Sequence, residues 1–379
     1  MGRSSAFGLG LVSVGVLALV SGLGCQPNTT STGGSGGGGA SGGTTSMGGT
    51  TSMGGSTGGS TGGQNTGGST GGTGGTTNTD PCTGDAVGAT VYQITQTGIP
   101  GAVGAGIKVQ VDGLIATSRK FLVSQSKSTN SCLWGVFASA PKDADGNQLL
   151  QAAPYSGILV LSYGNDAMPD PNSGTYYCPK LADAADIGDV IPNDIKPGDT
   201  FNVVGKTDKF LLSACASQTG GSEVGQFQIA QSCKMEKVGT AAIPAPYVVD
   251  AADYGKVASP TDEDFHGKFG GVLLEVKDVA AKSVMVDCPA GMTECVVNKF
   301  GQIAFEEGFG TGDKLYYRGY SQNFCHKGPQ FAAGTTFNSV VGVHYLDFCT
   351  WNLQQRDKCA DFDPASGDCA GATMCTFDQ

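Results

Sequence analysis

Thirteen cysteines, three histidines and two short acidic stretches are the side chains here with most chemistry to offer. A histidine acting as a general base needs a partner within hydrogen-bond reach. His266 ends the run Thr261-Asp262-Glu263-Asp264-Phe265-His266, an acidic loop that could hold a cation; a solvated turn is the expected outcome. His344 falls within a strand pattern and is expected to be a packed, satisfied histidine. His326 follows Cys325 and is expected to be constrained near a disulfide. Asp143-Ala144-Asp145-Gly146-Asn147 starts like a calcium loop, but its Gly comes too early for an EF-hand and the distal Glu is missing. Asp361, Asp363 and Asp368, beside Cys359 and Cys369, offer hard oxygen ligands of the kind Ca²⁺ takes. No other cofactor is expected. The chain has no G-x-S-x-G, H-E-x-x-H, P-loop or dinucleotide fingerprint. No enzyme is expected.

The N-terminus gives an address. Arg3 precedes an apolar run from Ala6 to Val20, which ends in Ser21-Gly22-Leu23-Gly24-Cys25. A positive start, a short apolar middle and small residues before a cut site describe a secretory signal. The terminal Cys resembles the lipobox of bacterial lipoproteins, although Gly22 stands where Leu is usual. The resemblance implies that the Cys25 thiol is acylated and becomes the new N-terminus. The membrane is then a partner through the lipid, and the chain is exported to the outer membrane or cell surface. A single-pass anchor and a secreted protein cut elsewhere are the two alternatives. Residues 26–80 hold 22 Gly and 23 Ser or Thr and carry no charge before Asp80. Such a segment has too little apolar surface to offset its ordering entropy. As a disordered linker it spans on the order of 40 Å.

Export gives the other twelve cysteines a meaning. Cys82, Cys132, Cys178, Cys215, Cys233, Cys288, Cys295, Cys325, Cys349, Cys359, Cys369 and Cys375 form an even set, which in an exported chain reads as disulfides. Short separations suggest Cys288–Cys295 and Cys369–Cys375. Zinc would need C-x2-C pairs, and the sequence has none. Residues 81–379 contain 21 basic and 32 acidic side chains, a net charge of −11. Binders of nucleic acid neutralise phosphates with clustered Lys and Arg, so nucleic acid is not an expected partner.

The elements that would position these groups are mostly strands. Ile107, Val109 and Val111 alternate with polar residues, as do Phe201 and Val203, and Leu315 and Tyr317. Val272 to Leu274 reads as a fully buried strand start. Pro197-Gly198-Asp199, Asp145-Gly146-Asn147 and Gly310 to Asp313 are turn signals. Helical periodicity is scarce, with Leu181 to Val190 the best stretch. Tyr176-Tyr177 and Tyr316-Tyr317 with Tyr320 could make a stacking platform, although alternation sends one of each pair into a core. Gly198 to Gly205 and Gly312 to Gly319 share G-D-x-Φ-x-Φ-x-G, which points to an internal duplication with an insertion within 140–195 of the first half.

Thr90 to Ile94, Val109 to Ala116 and Lys196-Pro197-Gly198-Asp199-Thr200-Phe201-Asn202-Val203-Val204-Gly205 resemble the OB-fold modules of bacterial surface proteins and secreted nucleases. In the second half, Gly342 to Phe348 with Trp351 to Arg356 and Asp361 is similar to the last strand of those modules, with Gln355 where Pro is usual. The resemblance implies an all-β fold with minor α. Two small OB-like Greek-key β-barrels, binders of oligonucleotides, oligosaccharides or proteins, would follow a disordered Gly/Ser/Thr-rich linker. The organisation expected is a signal over 1–25, a linker over 26–80, a first barrel with an insertion over 81–240, a second over 241–358 and a Cys-rich tail over 359–379. The expected function is a non-catalytic, lipid-anchored binding protein of the surface or envelope, with a protein or glycan as ligand. A nucleic-acid-binding accessory or remnant of a secreted nuclease is one alternative. A structural envelope lipoprotein is the other.

Overall fold

The computed structural model describes residues 82–363, except 83, 126–130, 166, 170–173, 175, 179–188, 213–214, 216–223, 258–261, 283–287, 289–292, 294–295, 297–301, 313–332, 348 and 357–360. The described residues belong to one compact unit. They form mostly β-structure with three short helices, as the alternating patterns predict.

The first half runs β1 (Val87–Gly88), α1 (Val91–Thr95), β2 (Lys108–Ala116), β3 (Phe121–Gln125), β4 (Cys132–Ser139), β5 (Gly157–Gly164), β6 (Met168–Pro169), β7 (Tyr176–Tyr177), β8 (Asp199–Phe210) and β9 (Gln226–Thr240). The second runs β10 (Tyr247–Asp250), α2 (Ala251–Val257), α3 (Glu263–Phe269), β11 (Leu273–Lys282), β12 (Ala304–Phe305), β13 (Thr311–Gly312), β14 (Thr336–Asp347), β15 (Thr350–Gln354) and β16 (Phe362–Asp363). Thr90 to Ile94, which the resemblance placed in a β module, is a helical turn. The cause is local: Thr90 Oγ1 accepts from the Gln93 N–H while the Gln93 side chain accepts from the Thr90 N–H, a reciprocal cap.

In the first half β2, β4, β5, β8 and β9 each pair with two others of the five. The pairs β2–β8, β8–β9, β5–β4 and β4–β2 are antiparallel, and β9–β5 is parallel. The second half repeats the scheme: β11–β14, β14–β15 and β11–β12 are antiparallel and β15–β13 is parallel. A bridge between Ala304 and Gly310 brings β12 beside the start of β13. Each half also begins with a short strand parallel to its first long one, β1 on β2 and β10 on β11.

This scheme relocates the sequence duplication. Residues 313–319 lie outside the described residues, and by pairing the counterpart of β8 is β14. There Gly334-Thr335-Thr336-Phe337-Asn338 stands opposite Gly198-Asp199-Thr200-Phe201-Asn202. Gly198 and Gly334 both have positive φ, at 92° and 76°, and Phe201 and Phe337 are both buried. Gly205 and Gly342 match as well. A Cβ on Gly205 would lie 2.5 Å from Ile229 Cγ2, and one on Gly342 would lie 2.6 Å from Leu353 Cγ. Glycine stands where each long strand crosses its hairpin partner.

Each half has its own core, one around Trp134, Val136, Val160 and Phe201, the other around Leu274, Val276, Phe305 and Phe337. A third cluster lies between them. Phe121, Phe137, Leu159 and Leu161 on the far face of β3, β4 and β5 pack on Leu273, Val343 and Tyr345. β4 and β5 therefore bury both faces, which explains their near-continuous apolar sequences. Backbones meet at Gly157 and Gly271, where a Cβ on Gly157 would fall 2.2 Å from the Gly271 carbonyl oxygen.

Candidate functional site

The largest concentration of titratable and aromatic groups among the described residues is buried in the second half. Tyr254 comes from α2, His266 from α3, His344 from β14 and Trp351 from β15. Asp262 starts α3 by accepting the Phe265 N–H at 2.9 Å, and Gly270 stops it by donating to His266 O at 2.9 Å. His344 is fixed in its strand by a bond from its N–H to Val272 O at 3.0 Å and by the Gly271 N–H on its carbonyl at 2.7 Å.

The side chains form a line. Tyr254 Oη lies 2.8 Å from His344 Nδ1, and His344 Nε2 lies 2.9 Å from His266 Nδ1. The two imidazoles are nearly coplanar, at 12°, and both rest on Trp351, with ring centroids 4.4 Å and 4.6 Å away. Tyr254 and Phe265 meet His344 edge-on. Two neutral arrangements of protons satisfy this chain, running in opposite directions, and both leave one proton on His344. Burial, and then the charge His266 would carry, holds His344 well below the ordinary histidine range. Burial likewise pushes the Tyr254 phenol far up. The line is a buried relay of three hydrogen-bonded side chains. Tyr254 and His344 are 0% exposed and His266 is 1% exposed, so no substrate reaches the relay in this conformation.

His344 is thus the packed, satisfied histidine that its strand pattern predicts. His266 differs from expectation: it sits on a helix in the core, not in a solvated turn. The reason is α3 itself, which turns Phe265, His266 and Phe269 inward while Asp264 and Lys268 pair at its surface. Sequence reasoning did not select Tyr254, and it placed Trp351 only in the last-strand resemblance. The available signal was the pair Phe265 and Phe269, four residues apart behind the capping Asp262.

A second polar centre lies in the first half. Lys120 is 0% exposed, and its Nζ donates to Asp189 Oδ2, to Ile191 O at 2.8 Å and to Asn193 Oδ1 at 2.5 Å. The Trp134 ring centroid lies 5.0 Å from the same nitrogen.

The cysteines pair across long separations. Cys82–Cys233 ties the start of the folded region to β9, and Cys132–Cys178 ties β4 to the residue after β7. Cys215–Cys349 joins the loop between β8 and β9 to the equivalent turn between β14 and β15. Cys288 is disulfide-bonded as well. Its expected partner Cys295 lies outside the described residues, as do Cys25, Cys325, Cys359, Cys369 and Cys375.

Of the carboxylates offered for Ca²⁺, Asp361 is buried and accepts from the Arg356 guanidinium at 2.8 Å and from the Arg356 N–H. Asp363 lies at the surface, 3.4 Å from Asn338 Nδ2, and Asp368 is outside the described residues. Among the described residues no cluster of three His, Cys, Asp or Glu side chains is arranged to hold a metal. In the other acidic loop, Asp143 Oδ1 accepts from the N–H groups of Asp145 and Asn147. Tyr176 packs against the first core. The Tyr177 side chain, Tyr316, Tyr317, Tyr320 and His326 are outside the described residues.

Comparison with protein families, with curated proteins and with solved structures found no match.

Proposed function

We propose that this chain is an exported, lipid-anchored, non-catalytic protein of the cell surface or envelope, whose two OB-like halves act as one binding head for a protein or glycan. The OB-like assignment is supported by the five strands β2, β4, β5, β8 and β9, whose pairings return to their starting strand with a single parallel step. That is compatible with a five-stranded Greek-key barrel. Export is supported by the disulfides and by the run from Arg3 to Cys25.

The observation that carries the ligand class is the covered face. OB-folds take oligonucleotides on the outer face of their second and third strands and on the loop between the fourth and fifth. In the first half those strands correspond to β4 and β5, whose outer face is filled by Leu273, Val343 and Tyr345. The corresponding loop is bonded through Cys215 to Cys349. A strand of nucleic acid has no groove there, and the net charge of −11 opposes it further. The same covered face favours the structural envelope role as the second reading.

The experiment is fractionation of the producing cells with mass spectrometry of the mature N-terminus. An acylated Cys25 in the membrane fraction is expected, with Cys25→Ser released or unprocessed. An unmodified N-terminus downstream of residue 25 overturns the anchor. Screening the full chain on glycan and protein arrays, with labelled DNA beside them, then reads the ligand class. Micromolar DNA binding with a steep salt dependence would overturn it.

A further inference from the structure

Lys120 is the buried lysine among the described residues, and its surroundings contain the parts of a reaction. Its nitrogen touches a carboxylate, Asp189, that is itself 1% exposed, and a carboxamide, Asn193. With Oδ1 of Asn193 at 2.5 Å and a C=O bond of about 1.23 Å, the carboxamide carbon lies within about 3.7 Å of the amine. Ile191 and Ile195 are buried beside it, and Trp134 covers the amine. We propose that Lys120 and Asn193 become joined by a side-chain amide bond that the folded chain forms by itself, with Asp189 carrying the protons.

The chemistry balances without any outside reagent. Asp189 accepts a proton from the Lys120 ammonium, leaving a neutral amine. Nζ attacks Cγ of Asn193, and the C–N bond to the carboxamide nitrogen breaks as the Nζ–Cγ bond forms. The two protons lost by Nζ leave on the departing nitrogen as ammonium, and Asp189 is again a carboxylate. An amine and an amide are normally inert toward each other because the amine is protonated and the leaving group is poor. Both obstacles are proton transfers, which a positioned carboxyl group lowers. Holding the amine against the carbon substitutes for concentration. The buried ion pair supplies a driving force as well. Keeping a lysine charge out of water is costly, and the product replaces it with a neutral amide while ammonium goes to solvent.

The product would tie the connection between β2 and β3 to the segment just before β8, two places far apart in sequence. An unreacted ion pair has the same contacts but leaves Lys120 a free amine, and that difference is measurable. The full chain is purified, reduced, alkylated and digested with trypsin. Trypsin cuts after a free Lys120 but not after an acylated one, so the expected product is peptide 120–127 linked to peptide 181–206, lighter than their sum by one ammonia, with free peptide 121–127 depleted. Lys120→Ala and Asp189→Ala each unbalance a buried charge and can fail to fold, so the informative variant is Asn193→Ala. Asn193 is half-buried, and its removal leaves Lys120 its contacts with Asp189 and Ile191. With an unchanged circular dichroism spectrum, Asn193→Ala should lose the linked pair and return peptide 121–127 in full. Full recovery of free peptide 121–127 from the wild-type chain overturns the proposal. A linked pair lighter by one water, joined at Asp189, overturns it too, because Asp189 would then be the acyl partner.

Discussion

In the first half β4 and β5 run eight residues each, whereas their counterparts in the second half, β12 and β13, run two residues each. The order of pairing is nevertheless the same. The difference lies in what is done with the faces. The long pair lines the first core with one face and supplies the contact between the halves with the other. In the second half Tyr254 from α2 and Phe265 and Phe269 from α3 also cover the core. The polar groups differ in kind too. The first half buries a Lys120–Asp189 ion pair, and the second buries a hydrogen-bonded tyrosine–histidine chain. Two copies of one pairing scheme have diverged into a half that supplies the interface and a half that is held by aromatic packing.

The strongest way to break this comparison is to remove the ring on which the interface turns. Phe137 stacks on Phe121 at 5.2 Å and meets Tyr345 of the other half edge-on at 5.2 Å. Phe137→Ala should cost about 4 kcal/mol. Because Trp134 and Trp351 report on different halves, urea unfolding followed by fluorescence and circular dichroism should shift as one coincident transition. A loss confined to one of two separate transitions would show that the halves do not share a core.

A somewhat smaller effect is expected at the tips. Cys215–Cys349 closes a separation of 134 residues, and replacing both cysteines by Ser should cost about 3 kcal/mol. Leu211, Val224, Leu346 and Trp351 still pack there, and Gln226 Oε1 still accepts the Leu346 N–H at 2.9 Å. The variant should therefore stay folded with a lower melting temperature. An unchanged melting temperature would assign the junction to those contacts alone.

Alternation made β2 and β8 legible, because a strand with one buried face shows a period of two, and a continuous apolar run marked the start of β11. It could not show which strand pairs with which. G-D-x-Φ, on which the match of Gly198–Gly205 to 312–319 rests, is common at turns, whereas by pairing Gly334-Thr335-Thr336-Phe337-Asn338 shares the role of the start of β8. The helices escaped because each spans at most seven residues, too short to establish a period. The T-x-x-Q cap at Thr90 was nonetheless readable. At the site, His344 was legible as a core histidine. His266 was not, since its acidic neighbours masked a face set by α3. Lys120 gave no signal, because only the fold brings Asp189 and Asn193 to it.

The finest distinction between the halves is their response to acid. His344 is held well below its ordinary range by burial and by His266, while in the unfolded chain a histidine titrates near about 6.5. Between those values the unfolded chain binds more protons than the folded one. The contribution of the relay is therefore full above about pH 6.5 and falls as pH drops below it, by up to roughly 1.4 kcal/mol per pH unit for one proton. Around it, Asp262 and Asp264 with Lys268 lie on α3 and its cap, and Asp347 ends β14. A window from pH 7.5 to 5.5 spans the titration of a histidine in the unfolded chain. Urea unfolding of the wild-type chain should lose about 1 kcal/mol across that window. His344→Gln, which keeps a donor and an acceptor but does not titrate, should be less stable at pH 7.5 and show a flatter dependence. Parallel slopes for the two proteins would remove the relay as the acid-sensitive element and leave the two halves alike in this respect.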